Sequence, residues 1–92
     1  MSKVVLQGYI VVPESDLRLI ESALATHIQL TKAEPGCLVF EITRDAENPC
    51  EYHVYEEFSD QKSFALHQQR VQASAWGRVT SNVERFYEVS RA

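Results

Sequence analysis

Two side chains of this sequence are of types that move protons, and regular structure would bring them together: Glu56 and His67. If a hairpin turn centres on Asn48, then Phe40 lies opposite Glu56, Ile42 opposite Val54, and Leu38 opposite Phe58. Side chains alternate along strands, so these six share one sheet face, while Val39, Glu41, Thr43, His53, Tyr55 and Glu57 share the other. The first set is apolar except for Glu56 and is the set expected under helices. An unpaired buried charge is costly, so Glu56 must be paired or protonated. Phe64, His67, Gln68 and Val71 recur at helical spacing, which aims His67 at the same layer. A carboxylate facing an imidazole across an apolar layer makes a general base and its orienter. The same spacing also fits a satisfied buried Glu–His hydrogen bond with no chemistry.

Other reactive residue types are scattered. Trp76, the one tryptophan, either roofs a pocket with its flat ring or packs a connector. His27 sits beside an apolar helical stripe and reads as a boundary histidine. His53 lies on the sheet face opposite Glu56 and reads as structural or interfacial. No HxH, HExxH or CxxC spacing is present, so no metal site is expected. Gly8, Gly36 and Gly77 are isolated, which leaves no glycine-rich phosphate loop and no motif for flavin or nicotinamide. Cys37 opens a strand as a small hydrophobe, with nothing adjacent to lower its pKa. Cys37 and Cys50 would lie at opposite ends of the hairpin, so both thiols are expected to be free.

The elements that must position these residues follow in order. A first strand, about Lys3 to Val12, is apolar on both faces. Pro13 stops it, Ser15 is the expected N-cap, and Asp16 suits the first turn of a helix running to about Ala33. Leu17, Ile20, Leu24, Ile28 and Thr31 form that helix's inward stripe. Pro35-Gly36 ends it. Strands at Cys37 to Arg44 and about Glu51 to Phe58 flank an Asp45–Pro49 loop. Ser59-Asp60 caps a second helix from about Gln61 to Val71. An irregular segment from Gln72 to Ser81 leads to a last strand, about Asn82 to Val89. The order β-α-β-β-α-β is the split βαβ, ferredoxin-like arrangement, an α+β fold with one antiparallel sheet and two helices on one face. The doubly apolar first strand asks for a cover on the other face, which a second copy would supply; the alternative is a monomer with a partly wet sheet.

Ninety-two residues make one domain, spanning 1–92, with a thin core. Apolar residues make up 45% and charged residues 24%, which argues against disorder. Thirteen acidic residues against nine basic ones leave a net charge of −4, so neither nucleic acid nor a membrane surface has an electrostatic footprint. No apolar run approaches membrane-spanning length, and the N-terminal residues lack a signal-peptide pattern. Two cysteines are too few for a disulfide framework. A reduced, cytoplasmic protein is the expectation.

Several stretches resemble one known family. Glu34-Pro35-Gly36-Cys37-Leu38, Phe40-Glu41, Tyr55-Glu56-Glu57-Phe58-Ser59-Asp60 and Phe64-Ala65-Leu66-His67 are similar to the antibiotic biosynthesis monooxygenase domain, from roughly Val4 to Val89. The resemblance implies a dimeric α/β barrel with packed sheets, a pocket between sheet and helices in each subunit, and oxygenation without flavin or metal. It aligns Glu56 with the family's strand acid and His67 with its helix histidine. Many relatives carry Ser-Pro-His-Phe shortly after that histidine; here Gln68 to Trp76 contains no second one. The haem-degrading branch of the fold has an Asn in its first strand, where this chain has Gln7.

The chemistry these features imply is cofactor-independent oxidation of a small quinol or phenol by O₂. His67 would take the proton, oriented by Glu56, while Phe40, Phe58, Phe64 and Trp76 hold the aromatic ring and exclude water. Two rivals use the same residues differently. One is a non-oxidative isomerase of a small oxygenated metabolite; the other is a non-catalytic ligand-binding or stress-response dimer.

Overall fold

A computed structural model of the chain describes residues 3–91. Strands β1 (Val4–Val11), β2 (Cys37–Arg44), β3 (Glu51–Phe58) and β4 (Glu84–Arg91) form one antiparallel sheet in the order β2-β3-β1-β4. Helices α1 (Leu17–Lys32), α2 (Gln61–Gln72) and α3 (Ala75–Val79) pack on one face. This is the expected ferredoxin-like α+β arrangement, with one addition. The segment expected to be irregular holds the short α3, capped by the Ser74 hydroxyl, which accepts the Gly77 N–H at 3.2 Å. Among the described residues, no helix is long and apolar enough to cross a membrane.

Alternation along the strands builds the core. Val4, Leu6 and Ile10 of β1 lie against Tyr52, Val54 and Phe58 of β3, beneath Ile20, Phe64 and Trp76 from the three helices. Burying each such side chain is worth about 1.5–3 kcal/mol. Among the described residues, no helix covers the opposite sheet face. Tyr9 stacks there on Phe86 at 4.8 Å, with Phe86 46% exposed.

Four expectations are corrected. Leu38 is not opposite Phe58: a β-bulge between Cys37 and Val39 sets Cys37 opposite Phe58, and Leu38 is turned out to solvent. The extra residue absorbs the tight exit from α1, where the Cys37 N–H donates to the Glu34 carbonyl. Beyond the bulge the expected register holds, with Phe40 opposite Glu56 and Ile42 opposite Val54. Ser15 does not cap α1; it lies in a 3-10 turn, Glu14–Asp16, closed by the Asp16 N–H on the Pro13 carbonyl, and the helix starts at Leu17. The last strand is shifted two residues along, because Val83 is needed in the core. His27 rather than Ile28 occupies the centre of the α1 stripe: Ile20, His27 and Thr31 are buried and Ile28 only half-buried. Asp60 caps α2 as expected, accepting the Ser63 N–H at 2.7 Å. Both cysteines are free.

Gly8 occupies the inward row of β1 between Leu6 and Ile10, so it adds no side chain beneath the helices. Its φ is +155°, and a Cβ there would meet the Phe86 carbonyl oxygen at 1.9 Å. Backbone cannot yield as a flexible side chain can. Gly8→Ala is therefore expected to destabilise the fold by about 1–3 kcal/mol or more. Thermal unfolding followed by circular dichroism should show a midpoint lower by several degrees; an unchanged midpoint would mean that β1 and β4 are not in this close approach.

Candidate functional site

The cavity between sheet and helices is about 220 Å³, larger than the roughly 150 Å³ that suffices for a benzene ring. Its sheet wall includes Leu6, Val54, Glu56 and Tyr87, and its helix wall His27, His67 and Trp76. Regular structure brings these together. Glu56 faces inward by β3 parity, and His67 follows Phe64 by three residues on the buried stripe of α2. Trp76 arrives on α3.

His67 is 4% exposed. Its Nδ1–H donates to Glu34 Oε1 at 3.1 Å and Oε2 at 3.2 Å. Glu34 is held in turn by the Arg70 Nε–H, and Arg70 Nη2 donates to the buried Thr31 hydroxyl at 2.9 Å. The orienting carboxylate is thus Glu34, not Glu56 as expected. With Nδ1 occupied, the Nε2 lone pair remains, and it lies 3.7 Å from Glu56 Oε1. That is too long for a hydrogen bond, and Glu56 Oε1 has no hydrogen-bond partner among the described residues. Both residues line the cavity.

Electrostatics follow from burial. Removal from water pushes the Glu56 carboxyl up to about 7, and the Glu34 charge adds to the rise. Burial lowers His67, partly opposed by its hydrogen bond to Glu34 and that carboxylate's charge. Tyr87 is 37% exposed, but its partial desolvation at the cavity and the Glu56 charge push its hydroxyl up to about 12, against the opposing effect of Arg85. A neutral imidazole and a carboxyl titrating near neutrality are suited to exchange protons with a ligand.

The remaining expected site residues divide. Trp76 walls the cavity, as the pocket reading had it. Phe40, Phe58 and Phe64 stand behind it: Phe40 and Phe58 pack on the His67 ring at 5.9 and 4.8 Å, and Phe64 packs on Phe58 at 5.7 Å. They brace the imidazole and do not line the space. His27, expected at a boundary, is buried in the cavity wall and stacked on Trp76 at 4.5 Å with the rings 4° from parallel. Glu34 had a signal in sequence that went unused. An acid just past a helix C-terminus is unfavourable with the dipole and calls for a cation, here Arg70. His53 is on the outer face as expected, 2.9 Å from Asp45 and 3.3 Å from Glu51. These three could jointly reach a metal ion, although no metal spacing was read from sequence. The ion pairs already account for their proximity.

A ferredoxin-like sheet with a cavity of mixed polar and apolar lining beneath its helices is the class that fold and site define. The profile of the antibiotic biosynthesis monooxygenase family matches residues 3–79, and the chain belongs to that family. β4 lies beyond the matched stretch, but solved structures superpose on the whole chain. A candidate antibiotic biosynthesis monooxygenase from Nitrosomonas europaea has a TM-score of 0.77 at 18% identity, covering 100% of this chain and 96% of its own. A Bacteroides thetaiotaomicron protein of unknown function, described as a possible oxidoreductase, also scores 0.77, at 14% identity over 99% and 98% of the two chains. A Shewanella oneidensis protein scores 0.72 at 20% identity, over 99% and 89%. At such identities the likeness is one of fold. Among curated proteins, none matches the sequence.

Glu56 yields a stability test. Its folded pKa lies above the ordinary 4.5, so the fold favours the neutral acid. The stabilisation is complete below the unfolded value and is lost as pH rises through about 7. Glu56→Gln cannot ionise and escapes this loss. Its stability relative to the unsubstituted protein should climb between pH 4.5 and 8, by up to about 3 kcal/mol. Urea titrations at the two pH values measure the difference; a gap independent of pH would show that Glu56 titrates normally.

Proposed function

We propose that this protein is a cofactor-independent monooxygenase of a small quinol or phenol, with His67 as general base. The observation that carries the reading is the geometry of His67: Nδ1 held by Glu34, Nε2 free toward a cavity of one-ring size whose lining mixes Leu6, Val54 and Trp76 with Gln68 and Arg85. Membership of a monooxygenase family supports the same choice.

The steps balance with O₂ as the sole oxidant. Neutral His67 accepts the phenolic proton at Nε2, and Glu34 stabilises the resulting imidazolium through Nδ1–H. The phenolate transfers one electron to O₂, giving a ring radical and superoxide. These combine at a ring carbon bearing hydrogen, forming a C–O bond. The peroxide takes back the proton, the O–O bond breaks, and the carbon's hydrogen leaves with the distal oxygen as water. The product is a quinone. Glu56, titrating near neutrality across the gap, can exchange the second proton. Trp76 and the apolar wall exclude water from the radical pair. Phe40 and Phe58 support the substrate by fixing the His67 ring, with Phe64 packed behind Phe58.

The proposed setting is a reduced cytoplasm, in keeping with two free thiols. The proposed assembly is a homodimer through the outer sheet face, where Tyr9 and Phe86 expose stacked rings. Light scattering at micromolar concentration should give about twice the 10.5 kDa chain mass. A monodisperse single-chain mass would remove the packed-sheet barrel from the reading.

His67→Ala should reduce quinol-dependent O₂ uptake by about 10²–10⁴-fold, the usual share of a general base. Glu34→Gln should cost less, since it loosens the base without deleting it. Circular dichroism must show both variants folded, because breaking one side of a buried polar pair costs about 1–3 kcal/mol. Wild-type O₂ uptake by His67→Ala would assign the histidine to packing. If the unsubstituted protein consumes no O₂ with any quinol or phenol, base-catalysed enolisation or simple ligand binding replaces oxygenation.

A further inference from the structure

One side chain on the cavity wall carries a permanent charge that the proton-transfer scheme does not use. Arg85 is the sole lysine or arginine lining the cavity among the described residues. β4 sets Arg85 beside Ile10 and Tyr87 beside Gly8, so both belong to the sheet face beneath the helices. Arg85 and Gln68 are exposed where Leu6, Val54 and His67 are buried, which puts the charge at the cavity mouth. Its guanidinium is held in place. Nη1 donates to the Val83 carbonyl at 3.2 Å, and Nη2 to the Thr80 carbonyl at 3.1 Å and the Thr80 hydroxyl at 2.9 Å. Thr80 is 1% exposed, and its hydroxyl donates in turn to the Trp76 carbonyl at 2.7 Å, which anchors the group to the core. All of these acceptors are neutral. The chain has thirteen acidic residues, yet among the described ones none forms an ion pair with Arg85. Anchoring the end of α3 uses three of the five guanidinium N–H groups; it leaves two of them, and the charge, unanswered.

We propose that Arg85 is a specificity-determining residue, selecting ligands that carry a carboxylate at the mouth of the cavity. Strand geometry keeps that end apart from the inner acid. By register Glu56 faces Leu6, and Leu6 faces Val89, so Arg85 stands two strands across and four residues along from Glu56. At about 4.8 Å per strand and about 3.4 Å per residue, the two backbones are roughly 16 Å apart. A carboxylate held at Arg85 is therefore not forced against the Glu56 carboxyl. Tyr87, between them in position, feels the Glu56 and Arg85 charges in opposite senses, so all three groups border one space. A fixed guanidinium bonds an anion more strongly than a neutral group of the same shape. The ligand class is a small hydroxylated acid. Its hydroxyl end rests on the oxygenase reading, and its carboxylate end rests on Arg85 alone.

The test measures binding without oxygen, so that it does not depend on turnover. Anaerobic calorimetry compares 4-hydroxybenzoate with 4-hydroxybenzamide, flat phenols of nearly equal shape that differ by one charge. Trp76, the only tryptophan, lines the same cavity and reports its occupancy by fluorescence. The unsubstituted protein should bind the acid about tenfold more tightly than the amide, the scale of one charge-assisted hydrogen bond. Arg85→Gln should bring that ratio to about one while amide affinity holds. Equal affinity for the two rings, a ratio unchanged by Arg85→Gln, or no binding of either ring overturns the proposal. Arg85 also anchors α3, so a second measurement covers a variant that fails to fold. The Arg85 ¹⁵Nε resonance of the unsubstituted protein should shift with the acid and not with the amide, and equal shifts overturn the role. An acid preference that Arg85→Gln abolishes, in a protein that consumes no O₂, would sink the oxygenase reading alone. Normal O₂ uptake with an unchanged ratio would sink only the role of Arg85.

Discussion

Glu56 puts a carboxyl oxygen into an apolar layer with nothing to bond it, and the arrangement of the site follows from how that cost is tolerated. An unsatisfied buried acceptor costs about 1–3 kcal/mol, more if charged. The sheet can carry it because β3 is one of the two central strands, bonded to β1 on one side and β2 on the other. Its neighbours along the inward row, Val54 and Phe58, are buried. The consequence is chemical: a carboxyl that cannot find solvation titrates near neutrality, where an ordinary surface glutamate is fully ionised. A locally unfavourable residue supported by a favourable framework is what functional sites commonly look like.

The helices solve a different problem. His67 would rotate freely if only packing held it. The chain Thr31–Arg70–Glu34–His67 runs from one helix to the other and ties the end of α1 to α2. Arg70 balances the Glu34 charge, so the carboxylate can be half-buried and still directional. The imidazole is thereby fixed at Nδ1 and open at Nε2, the asymmetry a general base requires. Phe40 and Phe58 close the sides of the ring. Removal of water and fixation of the tautomer come from the same packing.

The two sheet faces divide the labour. The inner face carries the cavity, and Gly8 helps by adding no side chain to its row. The outer face carries stacked Tyr9 and Phe86, and a network in which Lys3 bonds Glu57 at 2.9 Å and Glu57 accepts from the Tyr55 hydroxyl. Family membership and superposition speak for the frame, while the activity depends on which atoms remain free in the cavity.

The sequence alone determined whatever obeys a local period. Alternation of two placed Phe40, Ile42, Val54 and Glu56 on one face, and a repeat of 3.6 placed Phe64, His67 and Val71 on another. The order of elements along the chain followed from the succession of such segments and the punctuation at Pro13, Pro35-Gly36 and Asp60. Even the placement of Glu56 and His67 in one layer was legible, because both periods pointed inward. Tertiary structure decided the rest, since through-space partners depend on how far a helix is rotated and where it crosses the sheet. Spacing cannot choose between His27 and Ile28, both compatible with one stripe; the Trp76 ring lying flat on the imidazole made the choice. Glu34 and Arg70 are far apart in sequence, so their contact, and with it the identity of the residue that orients His67, exists only once α1 and α2 are docked. Leu38 was misplaced for the same reason: a single bulge, forced by the turn from α1, reverses the parity that alternation assumes.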